Sequence, residues 1–180
     1  MIFETDRLIA RNWNPETDAE HAFEMYRNPN VTRYLGRGVP EKETTLEEQR
    51  EKLITLNEKY AAFANGSGFW ALELKEDPTE VVGAVIVKRL PDEIGDQTDE
   101  WEVGWHLKQK HWGKGYATES GLAAIEHAFR VIGLDEIYAI VYPENLPSIA
   151  VTKRLGMNPL GITHKYYGVT AELFHKSRDN

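Results

Sequence analysis

Residues 111–120, with the sequence HWGKGYATES, form the pattern with the clearest chemical meaning in this chain. Two glycines, Gly113 and Gly115, flank Lys114 between a run typical of a strand and a run typical of a helix. A glycine-rich turn of this kind leaves backbone N–H groups without partners, and the helix dipole adds partial positive charge at the same point. Phosphate is the anion that such turns most often bind. The sequence therefore predicts a site for a phosphate-bearing ligand.

The composition limits what the rest of the chain can do. The chain has 180 residues, a formal net charge of −8 and no cysteine. The lack of cysteine excludes disulfides, thiolate metal sites and a cysteine nucleophile, and the six histidines show no metal-ligand spacing. The acidic balance argues against nucleic-acid binding and allows a cationic substrate. Neither a membrane helix nor a signal peptide is recognisable, so we expect a single cytoplasmic domain over residues 1–180.

The elements that must position the glycine turn follow from hydrophobic periodicity and from signals at element ends. Strands are predicted at 5–13, 69–75, 81–90, 101–107, 137–142, 162–167 and 171–175, with a turn at Asp77-Pro78 and a loop over 91–100. Helices are predicted between Asn14 and Pro29, between the overlapping capping boxes at Thr44 and Thr45 and the stop at Asn65, over 117–132, and over 147–155. This order predicts a mixed α/β fold with one central sheet.

Two stripes of residues run along the helix predicted after the glycine turn. The larger residues are Thr118, Leu122, Ile125, Phe129 and Ile132, and the smaller ones are Ala117, Gly121, Ala124 and Ala128. Both stripes repeat at helical spacing. The small-residue stripe permits a close approach of this helix to the sheet.

Four stretches together resemble the GNAT acetyltransferase superfamily, from about Thr5 to about His175. They are TDRLIARNW at the start, EVGWHL followed by HWGKGYATES, YPENLPSIAVTKRLGM, and KYYGVTAELF near the end. The second and third stretches, in this order and spacing, are specific, whereas either alone would be weak. More narrowly, the chain resembles the branch that includes the RimJ/RimL-type N-terminal acetyltransferases of ribosomal proteins.

The resemblance implies a fold and an activity. The fold would be a mostly antiparallel, twisted central sheet of about seven strands flanked by about four helices. The activity would be acetyl-CoA-dependent N-acetyl transfer to a primary amine, by direct transfer in a ternary complex and without a metal. The acceptor would be a protein N-terminus or a small cationic amine, and the oligomeric state, a homodimer included, stays open.

The resemblance also implies which residues bind acetyl-CoA. They are Leu107, Trp112, Gly113, Lys114, Gly115, Tyr116, Ala117, Thr118, Asn145 and Ser148. Backbone N–H groups of residues 113–117 would hold the pyrophosphate, because a Cβ at a glycine position would block it. The cationic side chains expected nearby are Lys108, Lys110, His111 and Lys114. Trp112 stands where the superfamily usually has Gln or Arg, which leaves the pyrophosphate site almost wholly backbone-made.

Two residues are predicted to act on the reacting groups. Glu102, on the strand before the glycine turn, would be the general base that deprotonates the amine. Ser148 would donate to the departing thiolate, because Thr152 occupies the position where many superfamily members have a tyrosine acid. Glu102 could instead be a solvated or substrate-orienting carboxylate. Asn145 and Ser148 flank Pro147 at a helix start, where both residue types also serve as caps.

Other interpretations of the same patterns stay open. Gly113 and Gly115 also fit part of a dinucleotide-binding G-x-G-x-x-G motif, but Thr118 replaces the third glycine. A non-catalytic acyl-CoA-binding module would carry the same turn. The acidic stretch from Asp92 to Glu102 contains no Lys or Arg, so it is either a solvated loop or an attractor of a cationic amine.

Overall fold

The computed structural model describes residues 1–36 and 45–178, and all the strands in this part belong to one sheet. The strands are β1 (Phe3–Glu4), β2 (Leu8–Arg11), β3 (Gly68–Leu74), β4 (Asp77–Pro91), β5 (Gln97–Leu107), β6 (Glu136–Val141), β7 (Asn158–Thr163) and β8 (Ala171–Ser177). The α-helices are α1 (Pro15–Tyr26), α2 (Pro29–Thr32), α3 (Leu46–Phe63), α4 (Tyr116–His127) and α5 (Leu146–Arg154). The mixed α/β prediction is confirmed, with the two-residue β1 and the one-turn α2 added.

The sheet has the strand order β1-β2-β3-β4-β5-β6-β8-β7, and all neighbours except β5 and β6 pair antiparallel. The parallel pairing of β5 with β6 is a single register position, Glu102 opposite Tyr138. By contrast, β4 and β5 pair along most of their length, from Gly83 opposite Leu107 to Pro91 opposite Gln97. The sheet therefore divides beyond Glu102, at the end of β5 that leads into the glycine turn.

Two hydrophobic clusters cover the two faces of the sheet. On one face, Ala124 and Ile125 of α4 and Leu155 after α5 pack against strand residues such as Trp101 and Val103. On the other face, buried residues of α1 and α3, including Met25 and Leu53, pack against Ala71 and Ala84. No helix in the described ranges is long and apolar enough to cross a membrane.

The predicted helix starts hold in the structure. Asn14 caps α1 by accepting a hydrogen bond from the N–H of Glu16, and Pro15 occupies the first helical position. Thr45 and Glu48 form a complete capping box at the start of α3. The alternative box at Thr44 lies outside the described residues.

The helix after the glycine turn confirms one of its two predicted stripes. Gly121, Ala124 and Ala128 are buried, and a Cβ at Gly121 would lie 3.0 Å from Cδ2 of Leu155, so α4 closely approaches the end of α5 there. The stripe of larger residues is not uniformly buried, because Leu122 is 48% exposed whereas Ile125 is 3% exposed. The last turns change to a π-helix at Ala128–Ile132 before Gly133 ends the segment with a φ of 85°.

Two predicted boundaries in the central hairpins were wrong. The turn between β3 and β4 lies at residues 75–76, because Leu74 pairs with Asp77 and the strand already includes Pro78. The predicted loop over 91–100 is shorter, since β5 begins at Gln97. Pro78 fits the start of β4 because the pairing of β4 with β5 begins only at Gly83. The N–H that proline lacks is therefore not required for that pairing.

We predict that Gly83→Ala destabilises the fold, because the added Cβ would lie 2.1 Å from the backbone oxygen of His106. Overpacking of this kind costs roughly 1–3 kcal/mol. The matched control is Gly104→Ala on the paired strand, where the nearest atom, Ile86 Cδ1, would be 3.5 Å away. This control should be neutral or stabilising by up to about 1 kcal/mol. Equal free energies of unfolding for the two variants in urea titrations would contradict the register of β4 and β5.

Candidate active site

The glycine turn has the geometry of an anion site. Gly113 and Gly115 have φ values of 76° and 85°, a region that L-residues with side chains rarely adopt. Gly115 is the N-cap of α4, and no side chain caps this end. The N–H groups of the first helical turn, at Tyr116, Ala117 and Thr118, have no acceptor within the helix. The turn therefore presents a set of free donors at the positive end of the helix dipole.

Arg7, which the sequence analysis did not assign to the site, fixes this turn. Its guanidinium forms an ion pair with Glu119 at 2.5 Å, lies 4.6 Å from the ring centre of Tyr116, and donates to the carbonyl of Lys114 at 3.0 Å. Glu119 also accepts from the hydroxyl of Thr5 and from the N–H of Arg7. Burial raises the pKa of Glu119, but these hydrogen bonds outweigh it and lower the pKa below its ordinary value.

The contact of Arg7 with Lys114 orients a peptide group. The carbonyl of Lys114 points toward Arg7, and no peptide bond of the described residues is cis. In a trans peptide the N–H points opposite to the C=O, so the N–H of Gly115 points away from Arg7. The signal for this clamp was present in the sequence, because Arg7 belongs to the TDRL stretch that carries the family resemblance.

The remaining predicted cofactor residues around the turn have varied surroundings. Trp112 is 41% exposed and donates from its indole nitrogen to the carbonyl of Leu107 at 2.9 Å. Tyr116 is buried, and its ring packs against the guanidinium of Arg7. Lys114 is exposed, and Thr118 is partly buried on the first turn of α4. The structure therefore brings residues 112–118 together at the end of β5.

Three of the four cations expected at the phosphate site are engaged elsewhere. Lys108 is 2% exposed, and its ammonium reaches His21 Nδ1 at 2.6 Å and one oxygen each of Glu24 and Glu80 at 3.0 Å. Lys110 lies 3.1 Å from Glu80. The three donors of the Lys108 ammonium are thus all used. The positive charges of Lys108 and Lys110, expected near the phosphate, are therefore paired with carboxylates.

His111 is the third of these residues. Burial is the main effect on its pKa, which is lowered, so the ring is neutral near pH 7. Its Nε2 lies 3.0 Å from Glu80 Oε1, and because that carboxylate accepts, the neutral ring carries its hydrogen on Nε2. Burial opposes the ionisation of Glu80, but hydrogen bonds from His111, Lys108 and Lys110 outweigh it and lower the pKa to about 2. Glu80 therefore anchors the segment that leads into the glycine turn.

Glu102, the predicted base, is a buried carboxylate on the face of β5 opposite to Trp101 and Val103. The hydroxyl of Tyr167 donates to its Oε1, and Lys88 Nζ lies 3.3 Å from the same oxygen. Its side chain keeps 10% exposure. Within residues 1–36 and 45–178, no hydrogen bond reaches Oε2. Oε2 is therefore the atom that remains for an acceptor amine.

Two tyrosines lie close to this carboxylate. Tyr167 has a φ of 60°, an uncommon conformation for a residue with a side chain. Burial first, and then the charge and hydrogen bond of Glu102, raise the pKa of Tyr167, so its hydroxyl stays protonated and donates. Burial and the charge of Glu102 raise the pKa of Tyr60 to about 12. Neither tyrosine hydroxyl was predicted as part of the site.

The predicted leaving-group residues lie at the start of α5. Asn145 is its N-cap and accepts from the N–H of Ser148 at 3.4 Å. The hydroxyl of Ser148 makes no hydrogen bond with any part of the chain that the structure describes. Thr152 is fully buried and donates to the carbonyl of Ile149 at 2.8 Å. Of the two hydroxyls, only that of Ser148 is thus available to a ligand.

The acidic stretch before Glu102 is more neutralised than its sequence indicates. Asp99 pairs with Arg89 at 2.5 Å, and Glu100 pairs with Lys165 at 2.6 Å. Asp92 Oδ1 accepts from three N–H groups of its own turn, at residues 94–96. The partner cations come from other strands and hairpins, which the local pattern could not reveal. No group of three or more potential metal ligands lies together in the described ranges.

Two cavities lie on the face of the sheet that carries α1 and α3. The larger, of about 360 Å³, is lined by residues of α1 and by Lys108, Gln109 and Lys110. It borders the Glu80 cluster but neither Glu102 nor Ser148. The smaller, of about 140 Å³, has Tyr60 and Lys88 in its wall and so adjoins Glu102. Of these two cavities, the smaller one is therefore next to Glu102, the predicted base.

We predict that Glu80→Gln destabilises the protein at pH 7 by roughly 1.5–3 kcal/mol, because Lys108 loses one of its two carboxylate partners and keeps Glu24. The low pKa of Glu80 means that its contribution is complete above about pH 4.5 and is lost as the pH falls toward 2. The difference in melting temperature between wild type and variant should therefore narrow from pH 7 to pH 3. Exposed Glu76→Gln is the control, and a difference independent of pH would contradict this account.

Comparison with known proteins identifies the family. A family model described as an acetyltransferase (GNAT) domain matches residues 7–158. The uncharacterized N-acetyltransferase YoaA of Bacillus subtilis (strain 168) is 30% identical over 169 residues, covering 92% of this chain and 87% of that protein. A GNAT-family acetyltransferase from Bacillus anthracis superposes with a TM-score of 0.76 at 22% identity, covering 98% of each chain.

A further solved structure shares the fold. It is RimL, a ribosomal L7/L12 alpha-N-protein acetyltransferase in complex with coenzyme A, with a TM-score of 0.75 at 15% identity, covering 99% of this chain and 98% of that one. The match over residues 7–158 includes the glycine turn, β5 and α5 described above. This chain belongs to the GNAT family of N-acetyltransferases.

Proposed function

We propose that this protein transfers the acetyl group of acetyl-CoA to a primary amine, within a single domain that spans residues 1–180. The observation that carries the proposal is that β5 bears a buried carboxylate, Glu102, and leads through residues 108–112 to a glycine turn at an uncapped helix start. Glu102 and Leu107 are about 17 Å apart at the rise of an extended strand. The two halves of the reaction, phosphate binding and amine activation, thus lie along one strand.

The residues around the glycine turn fit the pyrophosphate of acetyl-CoA. A Cβ at Gly113 would meet no atom within 4 Å, so this position is open to a ligand. Backbone N–H groups of Gly113, Lys114, Gly115 and Ala117 would donate to it, with Tyr116 and Thr118 on the same first turn. Lys114 supplies the exposed positive charge. The site is therefore built mainly from backbone donors, as the presence of Trp112 at the usual Gln or Arg position predicts.

The division of the sheet suits the extended arm of the cofactor. Beyond the single pair of Glu102 with Tyr138, β5 and β6 leave backbone groups on both strands free for another partner. Asn145 and Ser148 lie just after β6, on the opposite side of this division from the glycine turn. An arm that entered between the strands would contact Leu107 on one side and Asn145 on the other.

Bound acetyl-CoA supplies a thioester, whose carbonyl carbon forms a bond to the amine nitrogen as the bond to sulfur breaks. Glu102 Oε2 takes the proton of the amine, directly or through one water, while Tyr167 and Lys88 hold Oε1. The hydroxyl of Ser148 donates to the sulfur as it leaves. Because the chain has no cysteine to carry the acetyl group as a thioester, direct transfer in a ternary complex is favoured.

Experiments can distinguish two alternative functions from this proposal. A non-catalytic acyl-CoA-binding module would bind CoA and acetylate no amine. A dinucleotide-binding enzyme would bind NADH in preference to CoA. The free Oε2 of Glu102 beside the division of the sheet favours catalysis over binding alone.

We predict that CoA and acetyl-CoA raise the melting temperature, whereas NADH, NADPH and ATP do not. At a ligand concentration of 100 times Kd the stabilisation would be about 2.7 kcal/mol, which differential scanning fluorimetry detects readily. Gly115→Val should abolish the shift with CoA, because a β-branched residue is strained at a φ of 85° and crowds the turn. A shift with NADH alone, or an unchanged shift in the variant, would contradict the assigned phosphate site.

We predict that Glu102→Gln lowers kcat by roughly 10²–10⁴, because the amide has the shape of the carboxylate but takes no proton. The affinity for CoA, measured by calorimetry, should not change. Glu100→Gln is a matched control on the same strand, since that carboxylate is paired with Lys165. If both variants acetylate amines within a few-fold of wild type at every pH tested, Glu102 has an orienting role only.

A further inference from the structure

The smaller cavity has the chemistry of an anion site. It lies between the C-terminal part of α3 and the end of the β4–β5 hairpin, and its volume is about 140 Å³. Apolar surface comes from Tyr60, Phe63 and Pro91. The cavity therefore admits a small charged group with a short chain.

The charged residues that line this cavity are all cations. Lys59, Lys88 and Arg89 belong to its lining, and among the described residues that line it there is no Asp or Glu. The whole chain, by contrast, has a net charge of −8. A concentration of three cations in an acidic protein is not explained by its average composition. Lys88 is paired with Glu102 and Arg89 with Asp99, so the charge that attracts an anion comes first from Lys59.

Two of the three cations are available to a ligand. Lys59 is exposed, and its ammonium lies 5.9 Å from the ring centre of Tyr60. No carboxylate of residues 1–36 or 45–178 forms an ion pair with it. Arg89 pairs with Asp99, whose side chain is 100% exposed, and such surface pairs are weak because water solvates both ions. A ligand anion can therefore replace Asp99 on Arg89.

The third cation connects the cavity to the proposed base. Lys88 Nζ lies 3.3 Å from Glu102 Oε1 and 5.3 Å from the ring centre of Tyr167. Tyr60, also in the cavity wall, lies close enough to Glu102 for the carboxylate to affect its ionisation. A molecule in this cavity is therefore separated from the Glu102 carboxylate by the side chain of Lys88.

We propose that the amine acceptor carries an anionic group, a carboxylate or a phosphate, which Lys59 and Arg89 bind while its amine lies at Glu102. This inference rests on the proposed acetyl transfer and specifies the class of substrate. A purely cationic amine such as a polyamine gains nothing from the cavity and is repelled by it. The cavity thus selects the acceptor by its negatively charged group, whereas the reacting amine is positively charged before it is deprotonated.

The test compares matched amines with the full-length protein saturated with CoA. O-phosphoethanolamine is paired with ethanolamine, and β-alanine with β-alaninamide, so that each pair differs in the anionic group. Ligand-observed NMR titration should show at least about tenfold tighter binding of the anionic member, the effect of one charge-assisted hydrogen bond. The two pairs distinguish a phosphate from a carboxylate, and tighter binding in either pair supports the inference.

Variants assign the effect to the cavity. Lys59→Gln and Arg89→Gln should each weaken binding of the anionic amines and leave the neutral amines unchanged. Arg130→Gln, an exposed residue that pairs with Glu126 on α4, removes the same charge and should have no effect. Equal loss in all three variants would mean a general charge effect and would overturn the inference.

Turnover with acetyl-CoA separates this inference from the function on which it rests. Acetylation without preference for the anionic members, combined with equal binding in both pairs, would overturn the anionic acceptor and keep the acetyl transfer. Charge-dependent binding that is lost in Lys59→Gln and Arg89→Gln, without acetylation of any amine, would keep the anion site and overturn the acetyl transfer.

Discussion

The ion pair of Arg7 with Glu119 is the interaction on which the candidate site depends. It joins the start of β2 to the first turn of α4, and its guanidinium also holds the carbonyl of Lys114. With that carbonyl held, the N–H of Gly115 points away from Arg7, on the side where a phosphate would receive it. A helix start that lacks a side-chain cap is stable in this position because the clamp, and not a cap, fixes the turn.

A second cluster, around Glu80, holds the segment between β5 and the glycine turn. Glu80 on β4 binds Lys108, Lys110 and His111, which are the residues between β5 and the glycine turn. Lys108, Lys110 and His111, which were expected to add positive charge near the phosphate, therefore hold this loop in place through Glu80. Positive potential at the turn comes instead from backbone N–H groups, the helix dipole and Lys114. In the proposed pyrophosphate site, binding energy would therefore depend on backbone geometry more than on side-chain charge.

The sequence predicted what depends on local pattern. Capping residues such as Asn14 and Thr45, the small-residue stripe of α4 and the glycine turn follow from neighbours in the chain, and the structure has them. Contacts between distant segments were not predictable in the same way. The hydroxyl of Tyr167 on Glu102, and Arg7 on Lys114, join residues more than 60 positions apart. The roles of Glu102, Ser148 and the cofactor residues remain predictions, since they concern ligands.

The most direct test of the central claim is the position of the pyrophosphate in a crystal structure of the protein with bound CoA. We expect its oxygens within hydrogen-bond distance of the N–H groups of Gly113, Gly115 and Ala117, with the pantetheine arm between β5 and β6. The sulfur should then lie between Glu102 and Ser148. A pyrophosphate bound at another helix start, or an arm outside the division of the sheet, would contradict the account.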